Sequence, residues 1–216
     1  MWDQNTHFYY DLHYQTDEKA MVKNIVGFYP YWAEISDDEK LPGLEYLKDP
    51  AHFNTGSAFP SVSKENPAYS PDGGWQGIFI KGRNGCVWDG PSWPYTTGIA
   101  LSALGRQSQL HGHKYDRDFW TFFRQYTAQH FRDGVLERLY LAEHYNPESG
   151  EPLSDEVDYN HSYWIDLVMS FVAGIHVEED KIIVDPLQLG LQWFTMRNVL
   201  IRGHRYAVSW AEKENI

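Results

Sequence analysis

Trp88-Asp89-Gly90-Pro91-Ser92-Trp93-Pro94-Tyr95 runs directly into residues 97–109, where Ile99, Ala100, Ala103 and Leu104 recur at helical spacing. A second stretch has the same design. Glu143-His144-Tyr145-Asn146-Pro147-Glu148-Ser149-Gly150-Glu151-Pro152 is followed by Asp158-Tyr159-Asn160-His161-Ser162-Tyr163-Trp164, again at the entrance to a helical pattern. Both place Trp or Tyr beside Asp, Asn or Glu just before a helix N-terminus. Such positions offer main-chain N–H groups and a rigid support for a site.

Working outward from these stretches gives a mainly helical chain. Residues 116–131 carry Phe119, Phe122, Phe123 and Tyr126 at helical spacing, and Trp164, Leu167, Val168, Phe171 and Val172 form a last stripe. His111-Gly112-His113 reads as a turn between helices. Upstream, Asp17-Glu18 opens a predicted helix with Met21, Ile25, Phe28 and Trp32 on one face, and Pro30 predicts a kink or early end. A further helix is expected over residues 37–47, and a short strand or small hairpin over residues 6–14. Residues 50–95 have neither period, and a loop of that length in a compact domain is usually functional. After Gly174 the pattern changes to period two, with strands expected at 182–184, 193–195, 198–201 and 206–210 and a hairpin turn at Arg202-Gly203-His204. This predicts five helices joined by long loops over residues 1–175 and a small β-unit over residues 176–216.

Composition narrows the function. Nine Trp, fifteen Tyr and eleven Phe make the chain 16% aromatic. Much of that belongs in a core, yet Trp75, Trp88, Trp93, Tyr95, Tyr145 and Tyr159 stand in loop-like segments among Gly, Pro, Asn and Asp. Rings in polar loops suit carbohydrate, whose C–H face packs on an aromatic ring while polar groups take its hydroxyls. A formal net charge of −12 argues against nucleic acid and anionic membranes as partners. No apolar run approaches the roughly 20 residues of a membrane helix, and the N-terminus shows no secretion signal. Cys86 alone excludes an intrachain disulfide, and its place beside Trp88 suggests a small buried hydrophobe. His111 and His113 could begin a metal site but lack a third ligand in the pattern, so no metal and no cofactor are expected.

Glu143 is one of 30 acidic residues, and a solvated surface carboxylate is the ordinary fate of such a residue. Its setting between Tyr140 and Tyr145, before the Asn146-Pro147 turn, raises its standing. Asp89, between Trp88 and Trp93, draws similar attention. Hydrolysis of a glycoside needs two carboxyl groups across the scissile bond.

The segments 88–94, 143–150 and 158–163, with the opening Trp2-Asp3 and Phe8-Tyr9-Tyr10-Asp11, resemble mannosylglycerate-hydrolase-like glycoside hydrolases. These are related to glycoside hydrolase family 63, in the clan that also holds trehalases. The resemblance implies an (α/α)6 barrel of six inner and six outer helices, with the site at one end, and an inverting mechanism. It maps the general base onto Glu143 and the sugar subsite onto Trp88, Gly90 and Trp93. The chain departs from the family pattern at Asp89, which is read as a contact to a sugar hydroxyl or a helix cap. Tyr145 and Tyr159 are expected to pack on sugar, and Asp158, Asn160 and His161 to bond hydroxyls or brace Glu143. The family's general acid lies upstream of the segment with which this chain begins. Twelve helices need on the order of 300 residues or more, so the chain is expected to be the C-terminal half of the barrel. Its stripes at Met21/Ile25/Phe28/Trp32 and Phe119/Phe122/Phe123 would then seek the missing N-terminal half or a second copy. Two alternatives stand beside this reading: a non-catalytic carbohydrate-binding or assembly fragment, and a structural scaffold whose loop rings are all buried.

Overall fold

The computed structural model describes residues 1–73, 87–157, 161 and 163–212. Trp75, Cys86, Asp158, Tyr159 and Asn160 lie outside the described residues.

The longest helix is α2, Pro94–Leu110, with Pro94 in its first turn, where a missing N–H costs nothing. Its only exposed residues are Tyr95 and Leu110, so it is covered on nearly every side. Small residues make this possible. At Gly98 a Cβ would lie 2.6 Å from the Tyr163 ring, and at Gly105 one would lie 2.7 Å from the Phe171 ring. One helical face of α2 is thus cut away for the helix α4, Tyr163–Leu167, and the π turn that continues it over Val168–Val172. Helix α3, Asp116–Gln129, is amphipathic and faces α2 with Phe119, Phe122, Phe123 and Tyr126, all buried.

These phenylalanines do not form the open stripe expected of them. Phe122 packs on Phe59, Phe119 on Phe171, and Phe123 on Trp164, with ring centroids 4.8, 5.4 and 5.8 Å apart. The chain satisfies the stripe by itself. The upstream helix also differs from expectation. Asp17 and Met21 have φ of 56° and 52°, which no helix tolerates. Helical structure begins only at Asn24, whose Oδ1 accepts from Val26 N at 3.0 Å. A 3-10 turn over Ile25–Phe28 and the single α-turn α1, Tyr29–Trp32, follow. Pro30 starts α1 rather than kinking a longer helix. Ile25 and Phe28 are buried, while Met21 and Trp32 are exposed. Residues Asp38–Leu47 form a 3-10 helix around Pro42. Helical structure among the described residues thus occurs in all five expected segments, but only α2 and α3 are α-helices of more than five residues.

Among the described residues, the strands all lie in two-stranded antiparallel pairs. β1 (Trp2–Asp3) pairs with β2 (Phe8–Tyr9), β3 (Ile175–Glu178) with β4 (Lys181–Val184), and β5 (Trp193–Ile201) with β6 (His204–Ala211). The gap predicted between 195 and 198 is a bulge: register shifts between Met196 and Val199, and Asn198 has φ of 60°. Arg202 and Gly203, both with positive φ, make the tight turn from β5 to β6. The β5–β6 pair has a small core of its own, in which Val199, Ile201 and Val208 meet Ala173 and Ile175.

Candidate active site

The two loop motifs meet as neighbouring strands of backbone. Ser92 N donates to Tyr145 O at 2.8 Å, and Tyr145 N returns a bond to Ser92 O at 2.9 Å. On the other flank, Glu143 N donates to Glu156 O at 3.2 Å and Leu153 N to His144 O at 3.0 Å. Residues 143–145 are thus held from both sides. The turn beyond them is fixed by Asn146, whose Oδ1 accepts from Glu148 N (2.8 Å) and Ser149 N (3.0 Å). Gly150 closes it with φ of 79°. Thr55 Oγ1 donates to Pro147 O at 2.7 Å, and Asn146 Nδ2 to Asp72 Oδ1 at 2.7 Å, so the turn is docked on the 55–72 loop.

Three rings are stacked across this joint. Trp88 lies on Trp93 at 4.9 Å and 5°, and Trp93 lies on His144 at 4.7 Å and 20°. Trp93 is buried, with Nε1 donating to Val87 O at 3.0 Å. Its two faces are covered by Trp88 and His144, so it is not the free stacking platform expected of it. Trp88 is the outer ring, 48% exposed. It borders a cavity of 210 Å³ lined also by Val22, Asn24, Ile25, Val26, Ser61 and Val62.

Glu143 follows directly from this stack. Its Oε2 lies 3.7 Å from His144 Nδ1, and its side chain is 24% exposed where His144 is fully buried. The carboxylate therefore reaches solvent beside a sealed ring. Burial holds the His144 imidazole at a pKa of about 4, so the ring is neutral near pH 7. His161 Nε2 donates to Ala142 O at 2.8 Å, one residue before Glu143. Burial lowers its pKa too. Against it lies His130, brought down to about 3 by burial and, secondarily, by His161.

Other expected site residues have structural roles. Tyr145 is fully buried; its hydroxyl accepts from Ala142 N at 2.7 Å and donates to Tyr140 O at 2.9 Å. It braces the Glu143 loop from within and presents no ring to a sugar. Gly90 is buried, with N donating to Ser61 Oγ at 3.1 Å, and a Cβ there would lie 2.0 Å from Ser70 O. Asp89 O accepts from Ser70 N at 2.7 Å. Asp89 does not cap α2, because the residue at that position is Trp93. His113 is tied to Asp116 at 3.0 Å and to Asp185 at 3.4 Å. Sequence reasoning passed over His144, although it stands inside the quoted motif next to Glu143.

A family model described as the mannosylglycerate hydrolase MGH1-like glycoside hydrolase domain matches residues 1–162. The chain belongs to this glycoside hydrolase family. An uncharacterized protein of Borreliella burgdorferi is 39% identical over 75 residues, which are 34% of this chain and 15% of that protein. Among solved structures, the glycoside hydrolase chain is similar to one described as a sialidase, with a TM-score of 0.79 and 22% identity, over 97% of this chain and 19% of that one. It is also similar to the GH63 mannosylglycerate hydrolase of Thermus thermophilus in complex with glucose. There the TM-score is 0.55 and the identity 19%, over 78% of this chain and 36% of that one. These two likenesses concern the fold. The chain spans well under half the length of each of these relatives.

Proposed function

We propose that the chain is the base-bearing part of an inverting glycoside hydrolase. Glu143 takes a proton from water as that water attacks the anomeric carbon, and Trp88 packs on the sugar. The leaving oxygen is protonated by an acid on residues outside this chain, across the sugar from Glu143 at the roughly 6.5–9.5 Å that an intervening water requires. The observation that carries the proposal is the Trp88–Trp93–His144 stack. It ties a partly open carboxylate to a half-exposed indole through two rings that are themselves sealed. Trp93 and Tyr145 serve as frame, His161 braces the main chain before Glu143, Tyr159 packs on the sugar, and Asp158, Asn160 and Asp89 contact hydroxyls.

In this reading residues 1–175 form the C-terminal half of an (α/α)6 barrel, and residues 176–216 are an appendage. A cleft of 280 Å³ lies where α1, α2 and α4 meet β3, with Trp32, Ser102, Arg106, Tyr163, Asp166 and Glu178 in its lining. Trp32 and Tyr95 stay exposed on these helices, as expected if further helices of a longer protein cover them.

The test is the stereochemistry of hydrolysis by the longer protein, followed by proton NMR on a panel of α- and β-glycosides. The sugar released first should carry the anomeric configuration opposite to that of the substrate. Release with retained configuration would overturn the inverting assignment. Saccharide binding without hydrolysis of any panel member would favour the non-catalytic binding module.

A further inference from the structure

His144 is fully buried, and among the described residues neither its Nδ1 nor its Nε2 has a hydrogen-bond partner. A neutral imidazole carries one donor and one acceptor, and leaving a buried donor unmade is costly. Trp93 covers one face of the ring, which fixes its plane. Glu143 Oε2 lies 3.7 Å from Nδ1, just beyond hydrogen-bond reach. An ionised carboxylate only accepts, so the imidazole nitrogen that meets it must carry the hydrogen.

We infer that His144 is a positioning residue for Glu143: its Nδ1–H donates to Glu143 Oε2 and leaves the other carboxylate oxygen free to act on water. The inference rests on Glu143 being the base, but the bond itself can be observed whether or not that holds. The 3.7 Å gap closes by a small rotation of the partly exposed Glu143 side chain, because the stacked ring cannot turn. A substrate that covered Glu143 would exclude water and strengthen the bond, since electrostatic interactions gain when solvent leaves. The indole stack thus does two things at once. Its outer ring meets the sugar, and its inner ring orients the base. His144 is neutral here, so it donates a hydrogen bond without giving up a proton.

The longer protein, labelled with 15N-histidine, tests this directly, with the His144 signals assigned by their loss in His144→Asn. Nδ1 should be the protonated nitrogen and Nε2 the unprotonated one. The Nδ1 resonance should move in Glu143→Gln, where a neutral amide replaces the charged acceptor, and move further in Glu143→Ala. Protonation at Nε2 instead, or an Nδ1 resonance unchanged in both variants, would overturn the inference. Turnover of a glycoside cleaved by the wild type gives an independent readout. His144→Phe keeps a ring on Trp93 but has no donor, and should lower kcat by roughly 10–100-fold, as expected for losing a bond to a charged group. KM should stay nearly constant, and His144→Asn, with an amide N–H near the Nδ1 position, should recover part of the loss. Equal kcat in His144→Phe and wild type would also refute the role. Full turnover in Glu143→Gln would instead refute the base assignment, leaving the NMR result to stand or fall separately.

Discussion

Trp88 and Glu143 reach solvent from the two motifs and make up the rim, and Gly90, Ser92, Trp93, His144 and Tyr145 are the buried frame. The two regions interleave along the chain, and Trp88 even stacks on Trp93. Yet every frame residue is buried, whereas Trp88 is half exposed and Glu143 partly so. In the frame, Ser92 and Tyr145 satisfy each other's main-chain groups, and the rings fill the space between the loops. On the rim, one ring face and one carboxylate are left over. The division teaches that aromatic residues of one motif can serve opposite purposes, and that geometry around each ring, not its identity, assigns the purpose.

Substitutions should separate the two regions. Trp93→Ala removes a buried indole stacked on both faces and should cost about 3–5 kcal/mol of folding stability in urea denaturation. A loss below about 1 kcal/mol would move Trp93 from frame to rim. Acid should also attack the frame. The unfolded chain binds a proton on His144 near pH 6.5, but the folded chain does so only near pH 4. Between these values the unfolded state holds more protons, so stability falls as pH falls. His130, held to about 3, acts in the same direction. The urea midpoint should therefore decline from about pH 7 to about pH 5, and decline less steeply in His144→Phe. An identical slope in that variant would place the ring in contact with water.

Tyr145→Phe keeps the ring but leaves Ala142 N–H and Tyr140 O without their hydroxyl partner, and should cost about 1–3 kcal/mol. Trp88→Ala should have the smallest effect on folding, about 0.5–1.5 kcal/mol for one aromatic contact. It should nevertheless weaken saccharide binding in calorimetry. A Trp88→Ala protein as unstable as Trp93→Ala, binding sugar as before, would erase the distinction between rim and frame.

Much of the fold was legible. The period of residues 97–109 and 116–131 marks α2 and α3, and the change to period two after Gly174 marks the terminal hairpins. The failures have physical causes. Apolar spacing alone cannot reveal that Asp17 and Met21 adopt positive φ, which postpones the first helical turn to the Asn24 cap. A phenylalanine stripe announces a face to be buried but not what buries it. For Phe122 the cover is Phe59, far upstream in the chain. At the candidate site, both loops that meet through Ser92–Tyr145 and Trp93–His144 are visible in the sequence as motifs. The sealing of Trp93 and Tyr145 is not, because no local pattern records which faces of a ring are covered. His144 escaped notice for the same reason: its burial is set by Trp93, which belongs to the other motif.

Glu143→Gln in the longer protein proposed above is the most direct test, because it keeps the shape of the side chain and removes the proposed base. Turnover of a cleaved glycoside should fall by about 10²–10⁴-fold, while substrate affinity and the urea midpoint stay near those of the wild type. Wild-type turnover in Glu143→Gln would contradict the account.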